Sequence, residues 1–286
     1  MRRLKLPSLG KTAEEIYCEC ANDFTEKKHR VFLQRIYPSR VKIASKSYIA
    51  NVPKNLALLD HPKIGKHGTE LLKAVYKQKF EKQGKIGRKY YDAIILNGGD
   101  YCPICELPEV PDTLDHFLPQ DKYPLLCVTP ENLIPSCSKC NENKHTSSSI
   151  DYYSIPFHPY YESITDQWLE CEIAFKKDAT NDVTFYNGYK KTPSMQKKYD
   201  VQLKTYKLDK RYRLQAVIII NALRRSHKRI LIDNEKDGLL NHLIYEKESE
   251  ESNDINSLQS AIYRELINQF DNYVQWLMID KIIAQI

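Results

Sequence analysis

Cys102-Pro103-Ile104-Cys105, then Leu114-Asp115-His116-Phe117-Leu118-Pro119, then Asn132-Leu133-Ile134-Pro135-Ser136-Cys137-Ser138-Lys139-Cys140-Asn141, and finally Lys144: this ordered series decides the fold. Two C-x-x-C pairs supply four thiolates, the donor set of a closed tetrahedral zinc site. Residues 106–136 separate the pairs, a longer gap than the roughly 15–20 residues of a simple zinc ribbon. A folded segment therefore has to lie between them. Four sulfur ligands leave zinc no open position, so Cys102, Cys105, Cys137 and Cys140 are expected to staple the chain and not to catalyse.

Between the staples sit residues with a different chemistry. A neutral imidazole, His116, can take a proton from water near pH 7. The carboxylate beside it, Asp115, is a hard oxygen donor for a cation such as Mg²⁺. Asn141, directly after the second pair, offers an amide oxygen as a second neutral ligand, and Asn132 can brace a loop through backbone hydrogen bonds. Taken singly, a turn carboxylate, a satisfied histidine and two capping asparagines are the ordinary readings. Their joint order between cysteine pairs favours a metal-assisted phosphodiesterase. Lys122, Lys139 and Lys144 surround the proposed centre and are candidates for phosphate contacts.

Outside this stretch the pattern is helical. A helix is expected over about 13–37, another over 69–82 and a third over 86–96, where Gly98-Gly99 stops it. Short strands and loops fit 100–160, one or two strands fit 168–186, and helices fit 211–232 and 255–283. The acidic run 246–253 reads as an exposed loop. The expected architecture is thus α+β, with helical regions 1–99 and 161–286 around a zinc-stapled core at 100–160.

Composition sets the background. The 286 residues carry a net charge of +6, a weak pointer to a polyanionic partner. No apolar run follows Met1-Arg2-Arg3-Leu4-Lys5, and the apolar run 216–220 is too short to cross a bilayer. A cytoplasmic protein with no membrane association is expected, its eight cysteines serving as metal ligands and buried thiols. Cys18, Cys20, Cys127 and Cys171 belong to the second group.

The stretch at about 100–147 resembles the HNH endonucleases of the ββα-metal fold, in an H-N-N form whose last position is Asn141. The resemblance implies a two-strand hairpin and a helix around one catalytic ion. His116 would activate water, and Mg²⁺ or Mn²⁺ on Asp115 and Asn141 would stabilise the developing charge, leaving a 5′-phosphate and a 3′-hydroxyl. Leu114 to Pro119, Lys122-Tyr123-Pro124, Pro130 and Asn132 to Cys137 are also similar to stand-alone HNH proteins of bacterial anti-phage defence. Among those, the HNH subunit of Septu-type systems works beside an ABC/SMC-like ATPase. The substrate implied is nucleic acid, DNA foremost. The rival readings are an RNA-cleaving toxin with the same site and a zinc-containing nucleic-acid-binding subunit without catalysis.

Overall fold

The computed structural model describes residues 1–144 and 149–279. The chain divides into two compact units, Met1–Ile164 and Thr165–Ile286.

The first unit opens with five helices: α1 (Ala13–Asn22), α2 (Lys27–Ile36), α3 (Pro38–Asn51), α4 (Lys66–Val75) and α5 (Arg88–Asn97). The single helix expected over 13–37 is two helices, because the chain breaks at Asp23–Glu26. Thr12 starts α1 with a capping box, its side chain accepting from the Glu15 amide while the Glu15 carboxylate accepts from Thr12 N at 2.7 Å. Ile16, Tyr17 and Cys20 of α1 pack with Val41, Ala44 and Tyr48 of α3, all fully or almost fully buried. The helix expected from Thr69 begins one turn earlier, at Lys66, and passes at Tyr76–Phe80 into a single π turn.

The core of the unit is a hairpin of β1 (Thr113–His116) and β2 (Leu133–Ser136), followed by α6 (Ser138–Lys144). The strands are antiparallel, with Thr113 opposite Ser136 and His116 opposite Leu133. Helix α5 packs on this hairpin. Its last turn comes so close that a Cβ on Gly98 would lie 2.8 Å from Pro111 and 2.9 Å from Pro135, so only glycine fits. The segment Phe157–Tyr161 seals the hairpin from another side: Tyr160 Oη donates to Leu133 O at 2.9 Å, and the buried His158 ring lies 4.2 Å from that of Phe117. His158 Nε2 also shares a 3.0 Å hydrogen bond with Tyr48 Oη, which ties α3 to the core.

The second unit is built on a hairpin of β3 (Leu169–Phe175) and β4 (Asn181–Asn187). Alternate residues Leu169, Cys171 and Ile173 are buried, Phe175 continues that face against Tyr273 and Trp276, and Glu170, Glu172 and Ala174 face outward, the period of a sheet with one covered face. Helices α7 (Pro193–Thr205), α8 (Leu208–Asn253), α9 (Leu258–Asn268) and α10 (Phe270–Met278) cover it. Helix α8 is not one rod. Glu235 has φ +59°, and the rings of His227 and His242, fifteen positions apart, lie 5.3 Å from each other. The chain therefore doubles back at Glu235 into two antiparallel limbs. The acidic run 246–253 is not a loop but the end of the second limb, where Glu251 accepts from Arg264 at 3.0 Å. The helix expected over 255–283 is two helices divided at Gln269, and its last residues lie outside the described ones. Arg224, within a basic run, is buried and donates to the carbonyls of Ala179 and Trp276. Among the described residues no helix is long and apolar enough to cross a membrane.

A candidate HNH metal centre

The four cysteines of the two pairs converge. Cys102, Cys105, Cys137 and Cys140 are all buried, and their sulfurs lie within 4.8 Å of one another. A tetrahedron of ~2.3 Å zinc–sulfur bonds has edges of about 3.8 Å, and Cys105 Sγ stands 4.0 Å from Cys137 Sγ. The Cys137 amide points at Cys102 Sγ at 3.4 Å, a contact that supports thiolate charge. The first knuckle turns through Glu106 in a left-handed conformation, with Glu106 N donating to Cys102 O. Crowding splits the titration of the thiols. Hydrogen bonds from Cys105, Cys137 and Cys140 hold Cys102 far below the ordinary thiol range, while the same kind of contact pushes Cys140 far above it. The set fits a structural zinc ion, which would clamp the loop before β1 to the start of α6.

Helix α6 lays Asn141 and Lys144 against β1. Asn141 Nδ2 donates to Thr113 Oγ1 at 3.2 Å, and Lys144 Nζ donates to Asp115 Oδ2 at 2.7 Å. Thr113 and Asp115 share a face because strand residues alternate, and Asn141 and Lys144 share one because i and i+3 do on a helix. The amide of Asn141 and the carboxylate of Asp115 are thus on the same side of the hairpin. Asp115 and Lys144 are 5% and 4% exposed, so each charge depends on the other. Burial raises the Asp115 pKa and lowers that of Lys144, and the pairing opposes both shifts.

His116 ends β1. Its own carbonyl accepts from Lys144 Nζ at 2.6 Å, which joins its backbone to the Asp115 cluster. The imidazole turns elsewhere. It lies 4.5 Å from the Tyr76 ring, edge on, and its Nε2 is 2.9 Å from Cys127 O. A carbonyl only accepts, so Nε2 carries the proton and Nδ1 the lone pair. The Gln120 side-chain nitrogen sits against the ring edge between the two nitrogens, 3.1 Å from Nδ1 and 2.7 Å from Nε2, and covers Nδ1. Burial pushes the His116 pKa down to about 3, with the Cys127 carbonyl working the other way and Lys144 adding to the depression. The ring is therefore neutral at pH 7. Among the described residues no hydrogen bond joins it to Asp115 or Asn141.

Asn132 is fully buried and braces the intervening loop: Leu118 N donates to its Oδ1 at 2.8 Å, and its Nδ2 donates to Leu118 O at 3.1 Å. The three lysines separate. Lys122 is exposed, Lys139 pairs with Glu109 at 3.0 Å, and Lys144 is enclosed. His145, four residues after Asn141, lies outside the described residues. Sequence reasoning missed Gln120 and Tyr76, which cover the imidazole. Gln120 follows His116 by four residues, but nothing in its neighbours marked it, and Tyr76 arrives from a distant helix.

The donors on the α6 face are one carboxylate and one amide, a hard oxygen set that fits Mg²⁺ or Mn²⁺. Such an ion would share Asp115 with, or take it from, the Lys144 ammonium.

Comparison with known proteins agrees with this architecture. Residues 102–147 match the model of the HNH endonuclease family. Protein ea31 of Escherichia phage lambda is 26% identical over 194 residues, which cover 64% of this chain and 65% of that protein. The Septu protein PtuB of Bacillus thuringiensis is 47% identical over 51 residues, 17% of this chain and 20% of PtuB. The chain thus spans a little under two thirds of one relative and a fifth of the other. No solved structure matches. With its cysteine clamp, its ββα hairpin and the Asp-His pair at the end of β1, this chain carries an HNH endonuclease domain, whose chemistry is the hydrolysis of nucleic-acid phosphodiesters.

Proposed function

We propose that the protein is a divalent-metal-dependent endonuclease acting on DNA, and that it serves as the cleaving subunit of an anti-phage defence complex with an ABC/SMC-like ATPase. The observation that carries the catalytic reading is the setting of His116. Its Nε2–H is spent on the Cys127 carbonyl, which leaves Nδ1 as a neutral base at the end of the strand that also bears Asp115.

In this mechanism His116 Nδ1 takes a proton from water as the oxygen attacks phosphorus. Gln120 must swing away from Nδ1 for that water to enter. A basicity as low as that of the enclosed ring suits a resting site. A phosphate anion nearby would raise the His116 pKa toward the operating range. Asp115 and Asn141 would hold the ion, which supplies positive charge for the developing phosphorane and the leaving 3′ oxygen. Lys144 offers a second positive charge on the same face. Asn132 positions the loop that carries the base and contacts neither water nor phosphate. The products are a 5′-phosphate and a 3′-hydroxyl.

The defence role is supported by the short, well-matched segment shared with PtuB. Supercoiled plasmid incubated with Mg²⁺ or Mn²⁺ tests the enzymatic reading. Wild type should nick it, and His116→Ala should lose at least a hundredfold in rate. Equal nicking by both proteins removes His116 from the mechanism. Preferential degradation of total RNA by wild type replaces DNA with RNA as substrate.

A further inference from the structure

The positive charge of this chain is not evenly spread. Residues 1–99 hold 21 Lys and Arg against 9 Asp and Glu, a net +12, whereas residues 100–286 hold 22 against 28, a net −6. The overall +6 conceals this division. Within the first unit, ion pairs then sort the cations further. Lys11 and Lys89 pair with Glu19, Lys42 with Glu14, Lys79 and Lys85 with Asp23, and Arg88 with Asp92. Lys27, Lys28 and Arg35 on α2 and Lys66 and Lys77 on α4 and its π turn are exposed, and none is in an ion pair among the described residues.

The start of α4 adjoins the cation-bearing face of α2. The His67 ring of α4 is 6.4 Å from His29 and 6.0 Å from Phe32, both on α2. Gly68 permits the approach, since a Cβ there would collide with Tyr37 Oη. Lys27, Lys28, Val31, Phe32, Arg35 and Ile36 line a shallow groove on α2, a mixture of cations and one exposed aromatic. From there α4 and its π turn run from Lys66 to Tyr76, whose ring touches His116. Helical rise over Lys66–Phe80 makes the track roughly 20 Å long. At ~3.4 Å per phosphate along one strand, that spans roughly six nucleotides.

We propose that this α2–α4 surface is the docking track for the backbone of duplex DNA, leading it to His116. The inference rests on the nuclease reading for the identity of the substrate, though not for the existence of the surface. Charge complementarity selects the partner. Five cations without ion pairs outnumber the carboxylates beside them, Glu26 next to His29, Glu70 on α4 and Asp121 paired with Lys73, and this excess suits a polyanion more than a folded protein, whose interface would balance both signs. Contacts of this kind position the duplex and carry no sequence information. Binding by the track is accordingly expected to be sequence-tolerant and strongly salt-dependent.

The test measures binding without cleavage. Fluorescence anisotropy of a labelled duplex of about 30 base pairs is followed in a His116→Ala background, in a buffer without Mg²⁺ or Mn²⁺ and without a chelator that would strip the cysteine cluster. The track variant combines Lys27→Gln, Lys28→Gln, Arg35→Gln, Lys66→Gln and Lys77→Gln. A control removes the same charge from exposed residues of the second unit, by Lys177→Gln, Lys190→Gln, Lys204→Gln, Lys210→Gln and Arg225→Gln. The track variant should bind at least tenfold more weakly at about 0.1 M salt, and its log K against log salt should flatten by about 0.9 for each phosphate the variant no longer engages. The control should change less than threefold. Thermal melting and zinc content establish that both variants are folded. Unchanged binding by the track variant, or an equal weakening in the control, overturns the proposal. So does a competition in which single-stranded RNA or a protein ligand displaces duplex DNA from the track. Failure of the nuclease reading would show separately, as wild-type protein that leaves supercoiled plasmid intact with Mg²⁺ or Mn²⁺.

Discussion

Lys144 and Asp115 illustrate how a single ion pair can be essential and yet contribute little net stability. Two opposite charges buried together lose most of their hydration, and their attraction roughly offsets that cost. Removing one partner leaves the other charge buried alone. Lys144→Ala is therefore expected to destabilise the first unit by about 3–5 kcal/mol, read as a lower denaturant midpoint, whereas the double variant Lys144→Met with Asp115→Leu should recover most of that stability. A double variant as unstable as Lys144→Ala would show that the pair itself stabilises the fold. Gln120 lies against the nitrogen-bearing edge of the His116 ring and contributes to the burial that depresses its pKa. Gln120→Ala should raise it from about 3 toward the ordinary histidine range, visible as an upward shift of the ring's NMR titration. A ring that still titrates near 3 would assign the depression to Tyr76 and the surrounding loop. Asp115, His116, Asn132 and Asn141 stand out in the sequence as candidates because their types and order between cysteine pairs suit metal-assisted hydrolysis. The orientation of His116 is not legible there. Adjacent residues on a strand point to opposite sides, so sequence adjacency to Asp115 does not by itself place the ring in the Asp115–Asn141 cluster.

At the scale of elements, the hairpin β1–β2 is four residues on each strand, too short to hold register by itself. The cysteine clamp, α5 and the Phe157–Tyr161 segment supply what it lacks. Cys137→Ser should release one mole of zinc per mole of protein or lower its affinity severely, with loss of part of the near-ultraviolet tyrosine signal and of all nicking. A Cys137→Ser protein that keeps its melting temperature would mean that packing alone sets the hairpin. Sequence patterns resolve some element boundaries and not others. The C-x-x-C pairs and Gly98-Gly99 are local signals and mark the core directly. The doubling back of α8 at Glu235 is not local, because it depends on His227 meeting His242 across the turn. Charge alone makes the acidic run 246–253 read as a loop, yet helix ends tolerate charge when partners such as Arg264 stand beside them.

At the scale of the whole molecule, the two units carry separable reporters. Both tryptophans, Trp168 and Trp276, lie in the second unit, so intrinsic tryptophan fluorescence follows that unit. Trp276 packs at 21° to the Tyr273 ring, and Tyr273 Oη shares a 2.7 Å hydrogen bond with His227 Nδ1. His227 is 1% exposed, and its Nε2 has no hydrogen-bond partner among the described residues. Burial, and secondarily the nearby His242, lowers its pKa to about 4. Above the unfolded value of ~6.5 the ring is neutral in both states, so pH has no effect through it. Between about 6.5 and 4 the unfolded chain binds a proton that the folded unit refuses, so stability falls as pH falls. At about pH 5 the decrease through this one residue comes to about 2 kcal/mol. Denaturant unfolding followed by tryptophan fluorescence should therefore move to a lower midpoint between about pH 7 and pH 5. His227→Gln cannot titrate, so it should start from lower stability at neutral pH but change much less over the same interval. If the variant gives up as much stability as wild type on acidification, another group controls the acid response of this unit and the buried imidazole is not its sensor.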